Sequence, residues 1–260
     1  MHTQTTVLAR WRSLIIVVVM ALAGCAVLEP QGELNALMAE GQQLYSAQRY
    51  DEAIARFRAV TERDPGFYPA YLGLARSLMA KGAWPDAVVN ARRAMELSRG
   101  APDVLPVLLD ALYGGGNDGL ARGAFIDSIG YFSEYVGHQP GNFRAWLKVG
   151  MAYAGNRQFI EALRALQKAL ETGSGSTERA ETLQSLLGAG KQAFDARDYG
   201  SAINLLREYL KSNSSDLSAY LTLGKAYWES GAMRDALSTL ARVLQLDPRN
   251  SEALNMLQGR

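Results

Sequence analysis

The chain has one cysteine, Cys25, and two histidines, His2 and His138, among its 260 residues. One cysteine closes no intrachain disulfide, and two isolated histidines supply no His/Cys ligand set for a metal. His138 is the only histidine beyond residue 24, so no Ser/His/Asp constellation is credible and no catalytic residue is assigned. A surplus of charge of one sign is also missing. The 27 basic and 26 acidic residues nearly cancel, which argues against the basic patch or stripe that a nucleic-acid partner needs. A long apolar run is absent too. Leu14–Ala23 is about ten residues, and crossing a hydrocarbon core of ~30 Å takes about 20. A complete phosphate loop is lacking as well. Gly188-Ala189-Gly190-Lys191 has Ser185 where the first glycine belongs, Gln192 after the lysine, and no strand before it. No cofactor is expected, and no enzyme.

What the N-terminus does contain is ordered. Arg10 and Arg12 precede the apolar run, which ends in Leu22-Ala23-Gly24-Cys25. A positive region, a short apolar stretch and small residues form the pattern of a cleaved export signal over 1–24. Extended to Leu28, the run comes nearer to a span, and an uncleaved anchor is the alternative reading. The tetrapeptide LAGC resembles the bacterial lipobox. That resemblance implies cleavage before Cys25 and a covalent lipid on it. Ala26, where an aspartate would resemble the inner-membrane retention signal, implies the outer membrane of a Gram-negative cell, facing the periplasm. Residues 26–33, fully extended, reach about 26–29 Å, so the chain from residue 34 on stays close to the lipid surface.

From residue 34 on, one spacing recurs, most regularly in Leu217–Asn250. Numbered from 1 at Leu217, Tyr220, Leu223, Gly224 and Tyr227 stand at 4, 7, 8 and 11. Ala236, Leu240, Val243 and Pro248 stand at 20, 24, 27 and 32. The first set falls on one face of a helix and the second on one face of another. Gly224 and Ala236 are small where the helices cross, Gly231 sits in the turn, and Pro248 stops the second helix. A single hairpin of this kind cannot bury its apolar face alone, so it needs neighbours. The spacing resembles the tetratricopeptide repeat.

Six copies are read, at 34–67, 68–101, 102–142, 143–176, 183–216 and 217–250, with a partial capping helix at 251–260. The resemblance implies an all-α, right-handed superhelical solenoid over 34–260. Two interruptions stand out. In the third copy the second-helix residues Ser128, Phe132 and Tyr135 come seven positions late, and Gly114–Gly119 is expected as a flexible loop. Between the fourth and fifth copies, residues 172–182 read as a linker, either a slightly long turn or a hinge between a four-repeat and a two-repeat block.

In that family, first helices line a groove through positions 2, 5, 9, 12 and 13. Carried onto this chain, position 12 gives Tyr45, Met79, Tyr113, Ala154, Phe194 and Trp228. Position 9 gives Gln42, Arg76, Asp110, Met151, Lys191 and Lys225. Tyr45, Arg76, Met79, Tyr113, Met151, Lys191, Phe194, Lys225 and Trp228 are therefore the candidate groove, suited to a protein or peptide with apolar anchors and some acidic groups. The alternative for each is burial in the stack. The layout resembles outer-membrane lipoproteins of type IV or Flp (tight-adherence) pilus assembly. Similar layouts serve outer-membrane protein insertion, peptidoglycan-hydrolase adaptors and exopolysaccharide export. Self-association through 251–260 is a further possibility.

Overall fold

The computed structural model describes residues 30–258 of the chain. Cys25, the export signal and most of the tether lie outside these residues. Among the described residues the structure is all helical, with thirteen helices and no strand. None is long and apolar enough to cross a membrane.

The helices pair as successive hairpins. α1 (Pro30–Ser46) pairs with α2 (Tyr50–Arg63), and α3 (Tyr68–Ala80) with α4 (Trp84–Leu97). Next come α5 (Val104–Arg122) with α6 (Phe125–His138) and α7 (Phe143–Gly155) with α8 (Phe159–Thr172). α9 (Ser176–Asp195) then pairs with α10 (Tyr199–Leu210), α11 (Leu217–Glu229) with α12 (Met233–Leu246), and α13 (Ser251–Leu257) packs on α12. The chain divides into two compact units, residues 1–107 and 108–260. The boundary lies inside α5, not at 172–182.

The hairpins close through one recurring contact. A Cβ added at Gly41 would meet the Phe57 ring at 2.7 Å, and one at Gly116 the Phe132 ring at 2.7 Å. In the later copies Gly150, Gly190 and Gly224 meet Leu166, Leu206 and Leu240 in the same way. In the second copy both partners are small, Ala75 and Ala91, and both are fully buried. Positions 8 and 24 thus share a fixed volume at the helix crossing. In a close-packed interior a large residue at one position requires glycine at the other.

That contact corrects the register of the third copy. Gly116 does the work of position 8, so the copy runs 109–142 with no insertion. Its first helix carries glycine at positions 7, 8 and 11, namely Gly115, Gly116 and Gly119. Residues 114–119, expected as a flexible loop, are interior turns of α5. Neighbouring packing favours the helix over the freedom of four glycines. Gly119 faces Ser128, whose hydroxyl donates to Gly116 O at 3.0 Å in a buried bond. The extra residues lie ahead of the copy, where α5 starts early at Val104. The second interruption has the same solution. Only residues 173–175 are non-helical, and α9 begins seven residues ahead of Leu183. The Glu178 carboxylate caps it, accepting from Ser174 N at 2.8 Å and Gly175 N at 3.1 Å. Thr182 is fully buried.

Each hairpin turn puts one residue, position 15, in the left-handed region. Three are glycines: Gly82 (φ 71°), Gly123 (72°) and Gly231 (78°). The other three are Gln48 (59°), Arg157 (58°) and Arg197 (62°). A residue with a Cβ costs on the order of 1 kcal/mol there relative to glycine.

Between α10 and α11, Tyr209 donates to the Asp216 carboxylate at 2.6 Å, while Asp216 caps α11 by accepting from Ala219 N at 2.9 Å. Burial and then this bond push the Tyr209 hydroxyl up to about 12. Burial also pushes the Asp216 carboxyl up. Hydrogen bonds from Tyr209, Ala219 N and Ser218 N, with Lys191 nearby, outweigh that and leave it below the usual range. A lowered folded pKa gives Asp216 a contribution present above its unfolded value and lost as pH falls through the folded one. A raised folded pKa gives Tyr209 a contribution present below ~10 and lost as pH rises toward 12. Thermal melts across pH should therefore fall at both extremes. Tyr209→Phe should remove much of the decline between pH 10 and 12 and cost about 1.5–3 kcal/mol at pH 7. An unchanged alkaline limb would count against the assignment.

Candidate functional site

First helices place their free positions on one face because positions 4, 7, 8 and 11 are committed to packing. In the first unit this face forms a cavity of about 390 Å³. α1 contributes Met38, Gln42, Tyr45 and Ser46, and α3 contributes Pro69, Leu72, Gly73 and Arg76. Asp103 stands at its edge. Gly73 leaves the Phe57 ring edge as floor, since a Cβ there would lie 2.6 Å from it. Met38 and Leu72 are buried, whereas Gln42 and Arg76 are exposed. Among the described residues Arg76 makes no ion pair. The cavity is thus an apolar floor with one uncommitted cation and amide donors at its rim.

In the second unit, one cavity of about 420 Å³ gathers Asp110, Tyr113, Tyr135, Asn142 and Arg144. Tyr113 lies tilted at 5.4 Å from Tyr135 and edge-on at 5.5 Å to Phe132. Asn142 donates to the Tyr135 hydroxyl at 3.2 Å. Burial, with Tyr113 and the Asp110 carboxylate nearby, pushes that hydroxyl above its ordinary value. A second, of about 300 Å³, takes Leu120, Met151, Ala154 and Gly188 among its walls. Both are lined by first-helix residues, with contributions from adjoining second helices.

Among the described residues no three His, Cys, Asp or Glu side chains gather as a metal site. The Gly188–Lys191 fragment is mid-helix in α9, and Gly190 is occupied by its contact with Leu206.

The comparisons with known proteins agree with this geometry. The family model of the tetratricopeptide repeat matches residues 44–104 and 193–260. Those two stretches carry tetratricopeptide repeats. It is similar to the anaphase-promoting complex subunit CDC16 of Saccharomyces cerevisiae, at 25% identity over 82% of this chain and 25% of that protein. The chain spans between a quarter and a half of the length of the curated relatives it matches. Among solved structures, Naa15/Naa10 bound to HypK aligns over 90% of this chain and 34% of that one, with TM-score 0.55 and 13% identity. PilW, a widely conserved type IV pilus biogenesis factor, aligns over 86% of this chain and 98% of that one, with TM-score 0.38 and 17% identity. These structural likenesses are in fold alone.

Within the tetratricopeptide frame, the residues of the groove read from sequence meet different fates. Cys25 lies outside the described residues. Tyr45, Arg76 and Met151 line the cavities described above, with Met151 41% exposed. Tyr113 does so too, but at position 5 of the corrected copy; Leu120 holds position 12. Lys191 is exposed. Met79 is half-buried and lines none of these three cavities. Tyr45 and Phe194 are not free anchors. Each ring sits 5.7 Å from the aromatic that opens the next helix, Tyr50 or Tyr199, and so staples its own hairpin. Trp228 packs on the buried cluster of Leu240, Val243 and Ala253. Lys225 is committed to an ion pair with Glu252 of α13. The sequence reading missed Arg144 because position 2, which it occupies in the fourth copy, was not carried onto the chain. It missed Arg157 and Arg197 because the glycines at 82, 123 and 231 were not aligned as one position.

Proposed function

We propose that the chain is a non-enzymatic scaffold, held by a lipid on Cys25 at the periplasmic face of the outer membrane. Its concave cavities hold segments of partner proteins and so help assemble an envelope machine such as a pilus or secretion secretin. The observation that carries the binding reading is the convergence of the exposed Gln42 and Arg76, beside the half-buried Tyr45, on one cavity with an apolar floor. The anchor reading is supported by Arg10, Arg12 and the LAGC sequence. The pilus assignment is supported by the layout of signal, lipobox and repeats.

Two measurements separate these parts. Cys25→Ser should move the protein from the membrane to the soluble envelope fraction; retention in the membrane would refute the lipid. Arg76→Glu, a surface change with little expected cost in stability, should weaken capture of cross-linked envelope partners about tenfold or more. Identical partners at identical yield would refute the groove. Recovery of a secretin among those partners would support the pilus assignment, and its absence from every preparation would count against it.

A further inference from the structure

Arg157 and Arg197 occupy the hairpin position that three other copies fill with glycine, and both have left-handed backbones. They stand in consecutive copies, and both line one cavity of about 550 Å³ at the hairpin-turn edge of the second unit. It adjoins the 300 Å³ cavity, sharing Phe125, Ala154, Gly155 and Gln192 with it, but Arg157 and Arg197 belong to turns between first and second helices and line only this one of the two. Phe125, Ala154 and Ala196 give it apolar wall, Gln192 an amide, and Asp195 a carboxylate. Both arginines are exposed. Among the described residues neither forms an ion pair, and Asp195 forms none either. Gln48 holds the same position in the first copy without a charge.

Nothing in the hairpin itself calls for arginine there. The turn is closed by backbone bonds, Arg157 N to Ala154 O and Arg197 N to Phe194 O, each at 3.0 Å or less, and glycine would make the same bonds without strain. The side chains, not the backbone, account for the choice. Strained residues that share a cavity point to a binding role. Two guanidinium groups and one carboxylate leave the cavity one net positive charge, which complements a monoanion. Guanidinium suits planar, bidentate binding of a carboxylate, and the Phe125 wall suits an apolar neighbour. We propose that Arg157 and Arg197 form a clamp for an acidic side chain, flanked by an apolar one, on a partner polypeptide.

The test uses the full chain and a blocked acetyl-Ala-Glu-Phe-amide peptide, with its Gln counterpart and inorganic phosphate as comparison probes. Titration calorimetry should show saturable binding of the Glu peptide, at least tenfold weaker for the Gln peptide. The double variant Arg157→Gly/Arg197→Gly should lose binding tenfold or more while its Tm rises by about 4–8 °C, about 2–4 °C for each site relieved. Arg157→Gln/Arg197→Gln, which keeps the strain and removes the charge, should lose binding as strongly without the rise. Equal binding of the two peptides, unchanged binding by the double variants, or binding of phosphate alone would each overturn the clamp. A fall in Tm of the glycine variant would show that the arginines serve the fold. Arg76→Glu should leave this binding intact, so the clamp and the concave groove fail separately.

Discussion

Replacing Phe132 with alanine is expected to destabilise the chain by about 3–5 kcal/mol. The ring is fully buried in α6 and fills the space that Gly116 leaves in α5, with Tyr113 edge-on against it. Its removal loses the transfer energy of a large aromatic and leaves a cavity that the rigid crossing of two helices cannot close. Gly116→Ala alone should also destabilise, because its Cβ would lie 2.7 Å from a ring that has no room to move. The two changes together should cost clearly less than their sum, since they recreate the Ala75/Ala91 crossing of the second copy. Chemical denaturation of the three variants measures this. Simple additivity would show that positions 8 and 24 do not share one volume.

Gly115→Pro should cost about 3 kcal/mol or more. In α5 this residue is buried and lies mid-helix. Proline there removes an intrahelical hydrogen bond, and its ring clashes with the preceding turn. In a flexible loop the same change would be nearly neutral. Circular dichroism and a denaturant melt therefore decide between the two descriptions of residues 114–119. A variant as stable as the parent would restore the loop.

Much of the architecture was legible in the residue pattern, and the exceptions share a cause. Leu223, Gly224, Ala236 and Leu240 betray their helices because an apolar residue at helical spacing has one sensible use. A run of glycines has several. Gly114–Gly119 reads as a loop when propensity alone is weighed. In the molecule Phe132 and Ser128 lie against it, and contacts with them outweigh the backbone entropy. Seryl and glycyl residues at 173–176 mislead in the same direction. They shorten to a three-residue break because Glu178 caps α9.

The candidate groove was legible as a face but not as a set of free side chains. Position within the repeat tells which way Tyr45, Phe194 and Trp228 point. It does not tell that Tyr50, Tyr199 and the Leu240 cluster have already taken up their surfaces. Lys225 is neutralised by Glu252, a residue 27 positions away whose nearness only the packing of α13 creates. The sequence by itself determined the helical hairpins, their period and the apolar faces that hold them together. Those arise from local periodicity, which is written in the chain. The tertiary structure alone decided which exposed groups remain uncommitted, Arg76, Arg157 and Arg197 among them. That outcome depends on which side chains meet across helices, and no local rule contains it.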